Sequence, residues 1–169
     1  VEFHEYVVTL PLDLPLGYHD VALSADDDEF ARSRLIVAPE ACYTPNEIKE
    51  GKKIWGLNVQ LYCVRSEKNW GIGDFSDLAL LIEKAAGVGA DFIGLNPIHA
   101  LYPANPNACS PYGPSSRRWL NYLYIDVTAI DGYDDASVQA VVSSDEFKAT
   151  LEHARNVEHV DYEAVAHVK

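Results

Sequence analysis

The chain has 169 residues, of which 48% are apolar and 23% are charged, and these values are typical of a globular protein rather than a disordered one. Its formal net charge of −13 argues against the basic surface with which proteins bind nucleic acids or anionic membranes. The three cysteines form neither a zinc motif nor a disulfide framework. The sequence has no signal-peptide pattern and no apolar run of roughly 18 residues. We therefore expect a cytoplasmic protein with reduced thiols.

The first 40 residues predict a few antiparallel strands from the end of a β-rich domain. The strand signals are short alternating runs at 6–10, 18–23 and 34–38. The acidic run at 26–28 between two of them is typical of a turn. These strands are too few for a complete β-sandwich.

The polar stretch 39–53 contains two prolines and predicts a linker. We place residues 1–50 in the β-rich domain with its linker, and residues 51–169 in a second domain. The charge changes at this boundary, because residues 1–50 carry 11 acids and 3 bases, whereas residues 51–130 carry 6 acids and 7 bases.

The second domain begins with the pattern of a strand, a helix and a strand. Apolar and polar side chains alternate over 54–62, which predicts a strand with two different faces. A helical period follows, with Ser76 as the expected N-cap and Gly87 and Gly89 as the stop. The apolar run 92–95 predicts a buried second strand, which completes a βαβ unit. The polar face of the first strand, unusual for packing inside a barrel, holds Asn58, Gln60 and Tyr62.

Beyond residue 127 the chain is acidic and helical. Ser144 is the expected N-cap of one helix, and Asp161 is the expected N-cap of another, with a valine on either side as a hydrophobic staple. This last helix has no C-terminal stop signal, and the sequence contains no methionine. We therefore expect the chain to be a piece of a longer polypeptide.

Long loops follow both predicted strands, at the end where α/β barrels place their active sites. The first loop holds Trp70, either a hydrophobic plug or an aromatic platform for a sugar ring. The second begins with Asn96 and His99, and His99 is either a hydrogen-bonded structural residue or a substrate contact. The loop continues through Ser110 to Tyr112, whose ring and hydroxyl suit a sugar, with packing as the alternative. These five residues are the candidate substrate contacts.

No catalytic pair of carboxylates stands out. Glycosyl transfer with retention needs two carboxyl groups about 5–5.5 Å apart, and Asp74, Asp91 and Asp126 have no evident partner in the sequence. No nucleophilic triad is recognisable, and the histidines lack the spacing of a zinc site. We therefore assign neither a catalytic residue nor a metal ligand.

Four consecutive motifs between residues 52 and 128 carry a resemblance to a known family. They are WGLNVQLY, NWGIGDFSDL, GADFIGLNPIHAL and SPYGPSSRRWLNYLYIDV. Together they resemble the amylomaltase-type 4-α-glucanotransferases of the bacterial maltodextrin branch, and the earlier segment LPLGYHDVAL is similar to the end of that branch's N-terminal β-rich region. The resemblance implies an α/β protein: an incomplete TIM (β/α) barrel, limited to its first βα units and preceded by a few antiparallel strands.

The resemblance also implies an activity. It implies transfer of α-1,4-glucan segments between maltooligosaccharides by a retaining double displacement, without a cofactor. Tyr112 matches a sugar-stacking tyrosine beside the bond that breaks, and Trp70 lies in a loop near the rim of the site. The catalytic carboxylates are implied to come from later strands, so the remainder of the same polypeptide is an expected partner and this chain alone is expected to be inactive. Two alternatives are a non-catalytic α-glucan-binding module built on residues 1–50, and a glucan hydrolase of the same superfamily.

Overall fold

The structure, a computed structural model, describes residues 4–11, 13–25 and 28–169. The chain divides into two compact units, one up to Lys52 and the other from Lys53 to Lys169. Each unit is described by itself.

The described residues of the first unit form one antiparallel pair of strands. Strand β1 (Gly17–Ala25) pairs with β2 (Asp28–Val37), with an irregularity between Leu23 and Ser24. Both strands are longer than the alternating runs that predicted them, and two residues of the predicted turn, Asp26 and Asp27, lie outside the described residues. A short helix, α1 (Asn46–Lys49), lies in the predicted linker.

The strand predicted at 6–10 is wrong, because these residues have no regular structure. Alternation of side chains produces a strand only when a neighbouring strand satisfies its backbone hydrogen bonds. In the described part of this unit, the pairing is between β1 and β2.

The second unit begins with the expected strand, helix and strand. Strand β3 (Gly56–Val59) pairs in parallel with β4 (Phe92–Leu95), and α2 (Phe75–Gly87) lies between them in the chain. The first strand was predicted to continue to residue 62, but a 3₁₀ helix at Leu61–Cys63 follows it. Leu61 leaves the strand because its side chain enters the core, where it is 1% exposed.

The N-cap of α2 is Asp74, not Ser76 as predicted. The Asp74 carboxylate accepts hydrogen bonds from the backbone N–H groups of Ser76 and Asp77, both at 3.0 Å. Asp77 in turn accepts from the Asp74 N–H, which completes a capping box. The carboxylates of Asp74 and Asp77 bond reciprocally to the first turn of the helix. Together they cap it better than the single hydroxyl of Ser76 would.

The rest of the unit is a short antiparallel pair, two 3₁₀ helices at Tyr122–Tyr124 and Val127–Ala129, and three α-helices. Strand β5 (His99–Ala100) pairs with β6 (Ser116–Leu120). Helices α3 (Ala136–Val142), α4 (Asp145–Asn156) and α5 (Tyr162–Val168) follow. The N-caps predicted for the last two helices are confirmed: Ser144 accepts from Phe147 N–H, and Asp161 from Ala164 N–H.

Two clusters of buried side chains hold this unit together. The first joins the segment after β3 to the two C-terminal helices and contains Leu61, Ile72, Leu123, Tyr124, Ala154 and Val165. The second contains Trp70, Phe147 and Val168. Both clusters join residues far apart in sequence, so the helices and the loop after β3 depend on each other for their burial.

Candidate functional site

The carboxyl ends of β3 and β4 lie side by side, because the strands are parallel with Asn58 opposite Gly94 and Val59 opposite Leu95. Gly94 makes room for the Asn58 side chain, since a Cβ at Gly94 would lie 2.2 Å from Asn58 Oδ1. An open pocket of about 490 Å³ at these ends is lined by Asn58, Val59, Gln60, Cys63, Val64 and Asn96. The amide side chains of Asn58 in β3, and of Gln60 and Asn96 just beyond the ends of β3 and β4, therefore face one pocket.

Tyr112 is joined to this end of the sheet by a hydrogen bond. Asn96 Nδ2 donates to Tyr112 Oη at 3.0 Å, although strand β5 lies between the two residues along the chain. The Tyr112 side chain is 69% exposed, and a turn closed by Gly113 N–H and the Ser110 carbonyl at 3.1 Å carries it. Because its oxygen accepts from Asn96, the phenol keeps its own proton to donate to another molecule.

Ser110 and His99 occupy different surroundings. Ser110 is exposed and lines a larger pocket of about 590 Å³ beside Tyr62, Cys63 and Cys109. His99 is half-buried in β5, with its backbone paired to Leu120 of β6. The position of His99 is thus set by a separate two-stranded sheet.

Trp70 lies in the core rather than at the surface. Its side chain is 5% exposed, and its ring packs edge-on against Phe147 at 5.2 Å and tilted against Tyr133 at 6.4 Å. A ring packed in this way has no free face for a sugar. Its environment is that of a hydrophobic plug, so we do not retain Trp70 as a candidate substrate contact.

The loop that carries Trp70 is fixed by arginines from both sides. Arg65 donates to the Gly71 carbonyl, and Arg155 of α4 donates to the carbonyl of Asn69 at 2.7 Å. Gly71, at a φ of +82°, passes so close to α4 that a Cβ there would lie 2.7 Å from that of Ala154. This long loop therefore packs against α4, which gives it a structural role.

The three acids considered as catalytic candidates each accept hydrogen bonds from the backbone. Asp74 caps α2, Asp126 accepts from Thr128 N–H at 3.0 Å, and Asp91 accepts from Trp55 N–H at 3.1 Å. Burial raises the pKa of Asp74, whose carboxylate lies 3.9 Å from Lys169 Nζ. These contacts give all three acids structural roles.

The larger pocket also contains a side-chain contact that the sequence did not predict. Asn107 Nδ2 donates to Glu163 Oε1 at 2.7 Å across it. Burial raises the pKa of Tyr62 and Tyr162, which also line it. No local pattern could have paired Asn107 with Glu163, since 56 residues separate them.

Two features are absent from the described residues, 4–11, 13–25 and 28–169. Within these ranges, no group of three or more histidine, cysteine, aspartate or glutamate side chains is arranged to hold a metal ion. No helix there has the length and apolar character needed to span a bilayer.

Comparisons with known proteins identify the family. A family model for 4-alpha-glucanotransferase matches residues 59–169, and a model for the MalQ N-terminal beta sandwich domain matches residues 1–39. The chain is 45% identical to a 4-alpha-glucanotransferase of Haemophilus influenzae over 164 residues, which are 96% of this chain and 23% of that protein. It is 46% identical over 128 residues to a 4-alpha-glucanotransferase of Mycobacterium tuberculosis, covering 72% of this chain and 17% of that protein.

A solved structure agrees with these matches. The chain superimposes on the amylomaltase from Corynebacterium glutamicum with a TM-score of 0.74 and 34% sequence identity, covering 92% of this chain and 22% of that one. It thus spans about a quarter or less of the length of the relatives it matches. The resemblance in the four motifs is confirmed, and the chain belongs to the 4-alpha-glucanotransferase family.

Proposed function

We propose that this chain is part of a 4-α-glucanotransferase that transfers α-1,4-glucan segments between maltooligosaccharides by a retaining double displacement. Family membership and the names of its relatives support this activity. In this proposal, residues 1–50 are the end of a β-rich domain with its linker, and residues 51–169 form the first βα units of a TIM barrel. The remainder of the polypeptide supplies the catalytic carboxylates, because Asp74, Asp91 and Asp126 are engaged in structural hydrogen bonds.

The observation that carries the proposal is the hydrogen bond between Asn96 and an exposed Tyr112 at the carboxyl ends of two parallel strands. Enzymes with α/β barrels place their active sites at this end of the sheet. The Tyr112 ring offers an apolar face to the C–H face of a glucose unit, and its hydroxyl offers a donor to the sugar edge. Asn96 holds the phenol in place, and we propose Ser110 and His99 as further substrate contacts.

The test is a pair of substitutions at Tyr112 in the full-length polypeptide. We expect Tyr112→Ala to lower kcat/KM for maltotriose about tenfold or more, equivalent to at least ~1.4 kcal/mol, because it removes the stacking face. Tyr112→Phe keeps the ring and should lose less. Tyr18→Ala removes an exposed tyrosine of the first unit and serves as the matched control, with unchanged kinetics expected. Full activity of Tyr112→Ala would contradict the proposed role.

The products made from maltotriose distinguish transfer from the alternatives. Longer maltooligosaccharides together with glucose are the expected products of a transferase. Hydrolysis products alone would instead identify a glucan hydrolase of the same superfamily. Binding of maltooligosaccharides to residues 1–50, with no turnover by the full polypeptide, would identify a binding module.

We propose a cytoplasmic place in maltodextrin metabolism for this enzyme, with no cofactor for the chemistry. The three free thiols, Cys42, Cys63 and Cys109, are consistent with a reducing compartment. Fractionation of the native host, with detection of the polypeptide in a membrane-free extract, would test the location.

A further inference from the structure

Asn121 is a buried residue that bonds to the chain through all its polar atoms except one. It directly precedes the 3₁₀ helix Tyr122–Tyr124 and is 2% exposed. Its backbone N–H donates to the Ile98 carbonyl at 3.0 Å, and its own carbonyl accepts from the Tyr124 N–H at 3.2 Å. Its Oδ1 accepts from the Leu123 N–H at 3.1 Å. The exception is Nδ2, which no hydrogen-bond acceptor in the described part of the chain reaches.

The orientation of this side-chain amide is fixed by the helix that it caps. The Leu123 N–H is a donor, so it bonds to the side-chain oxygen of Asn121 and cannot bond to the nitrogen. Turning the amide over would bring two donors face to face. A buried N–H group without an acceptor costs free energy comparable to a lost hydrogen bond, so Nδ2 needs an acceptor from outside the described chain.

A small cavity of about 20 Å³ adjoins Asn121. Its walls include Leu101 and Pro106 of the loop after β5, Tyr122 and Leu123 of the 3₁₀ helix, and Tyr162 and Ala166 of α5. A buried water needs roughly 10–15 Å³, whereas pockets for small organic molecules measure about 300 Å³ or more. The cavity therefore has space for a water molecule and none for a sugar ring.

We propose that this cavity is a binding site for one structural water, which accepts a hydrogen bond from Asn121 Nδ2. Water is a neutral acceptor, so its burial avoids the cost of burying an anion. A carbonyl group from another segment of the polypeptide brings a whole residue with it, and the cavity is too small for one. The walls also contain tyrosines, Tyr122 and Tyr162 among them, whose hydroxyl groups can both donate and accept.

The water lies where three segments near the candidate site meet. The loop after β5 leads to Ser110 and Tyr112, and Asn121 is already bonded to Ile98, which directly precedes β5. A water bonded to Nδ2 fixes the start of this loop between the 3₁₀ helix and α5. The site does not depend on any glucan activity, so failure of this proposal and failure of the proposed function can be told apart.

The first test is a crystal structure of the full-length polypeptide at a resolution that shows ordered water. We expect one ordered water in the cavity, about 2.7–3.2 Å from Asn121 Nδ2. A protein acceptor within that distance of Nδ2, or a cavity without ordered water, would overturn the proposal. Because this outcome is read from the wild type, it does not depend on the folding of a variant.

The second test detects the water in solution by nuclear magnetic resonance of the full-length polypeptide labelled with ¹⁵N-asparagine. The matched control is Asn69, which is also 2% exposed but whose Nδ2 donates to the Val64 carbonyl at 3.1 Å and to Asp77 Oδ2 at 2.9 Å. We expect a nuclear Overhauser contact with a long-lived water for the Nδ2 hydrogens of Asn121 and none for those of Asn69. Loss of the signals in Asn121→Ser assigns them. Equal water contacts for the two amides, or no contact for Asn121, would overturn the proposal.

Discussion

The glycines after β3 show how closely single residues are fitted in the second unit. A Cβ at Gly73 would lie 2.1 Å from the carbonyl oxygen of Leu61 and 2.7 Å from the Cβ of Val64. Leu61 is buried, and the Val64 N–H donates to the Leu61 carbonyl at 3.0 Å, so these neighbours have little freedom to move. Gly87, at the end of α2, has open space around the same position.

We expect Gly73→Ala to destabilise the second unit by about 2 kcal/mol or more, because the new methyl group meets backbone atoms. Gly87→Ala is the control and should change the free energy of unfolding by about 1 kcal/mol or less, in the stabilising direction. Urea unfolding followed by tryptophan fluorescence measures both, since all three tryptophans lie in the second unit. Equal unfolding midpoints for the two variants would contradict this account.

At the scale of elements, the junction between α4 and α5 depends on Asp161. Its carboxylate accepts from Ala164 N–H at 3.0 Å and contacts His153 Nε2 at 2.9 Å. The hydrogen bond from the Ala164 N–H and then the contact with His153 lower the pKa of Asp161 below its usual value of 3.8. A carboxylate with a lowered pKa stabilises the fold above its unfolded-state pKa, and this stabilisation is lost as pH falls through the folded-state pKa.

We expect Asp161→Ala to cost about 0.5–2 kcal/mol at neutral pH, which is the usual loss for an N-cap. The difference in unfolding free energy between this variant and the wild type should shrink as pH falls below 3.8. Protonation of Asp161 then removes from the wild type the same charge that the substitution removes from the variant. Asp161→Asn keeps an oxygen acceptor at the cap and is the control, with a smaller loss expected. Urea unfolding at neutral pH and at pH about 3 measures the stability of both variants. A stability loss for Asp161→Ala that increases on acidification would contradict this prediction.

At the scale of the whole molecule, the second unit leaves apolar surface uncovered. Leu57 of β3 and Phe92 of β4 are exposed, and so are Leu80 and Ile82 of α2. The two parallel strands form a sheet of their own, so each has an edge available for pairing with another chain. In the proposed barrel, further strands and helices would cover this surface.

We expect residues 1–169 in isolation to be marginally stable, to bind 8-anilinonaphthalene-1-sulfonate and to self-associate, because exposed apolar surface and open strand edges favour association. The full-length polypeptide at equal molar concentration is the comparison and should bind the dye weakly. Light scattering and dye fluorescence measure these properties. A monodisperse, high-melting monomer of residues 1–169 would show that the chain is self-contained.

The sequence by itself determined the features that depend on neighbours in the chain. The strand, helix and strand from β3 to β4 and the caps at Ser144 and Asp161 follow from local periodicity and from single side chains next to helix starts. The family followed from four consecutive motifs. Where two local signals competed, as Asp74 and Ser76 did for the start of α2, the sequence alone was misleading.

Only the tertiary structure decided which distant residues meet. It placed the Trp70 ring against Phe147, took Leu61 out of its strand and joined Asn96 to Tyr112. A local pattern specifies which face of an element is apolar, but not which side chain from another element will cover it. Packing and hydrogen bonding between distant segments therefore separated the buried Trp70 from the exposed Tyr112, although both are aromatic residues in loops that follow strands.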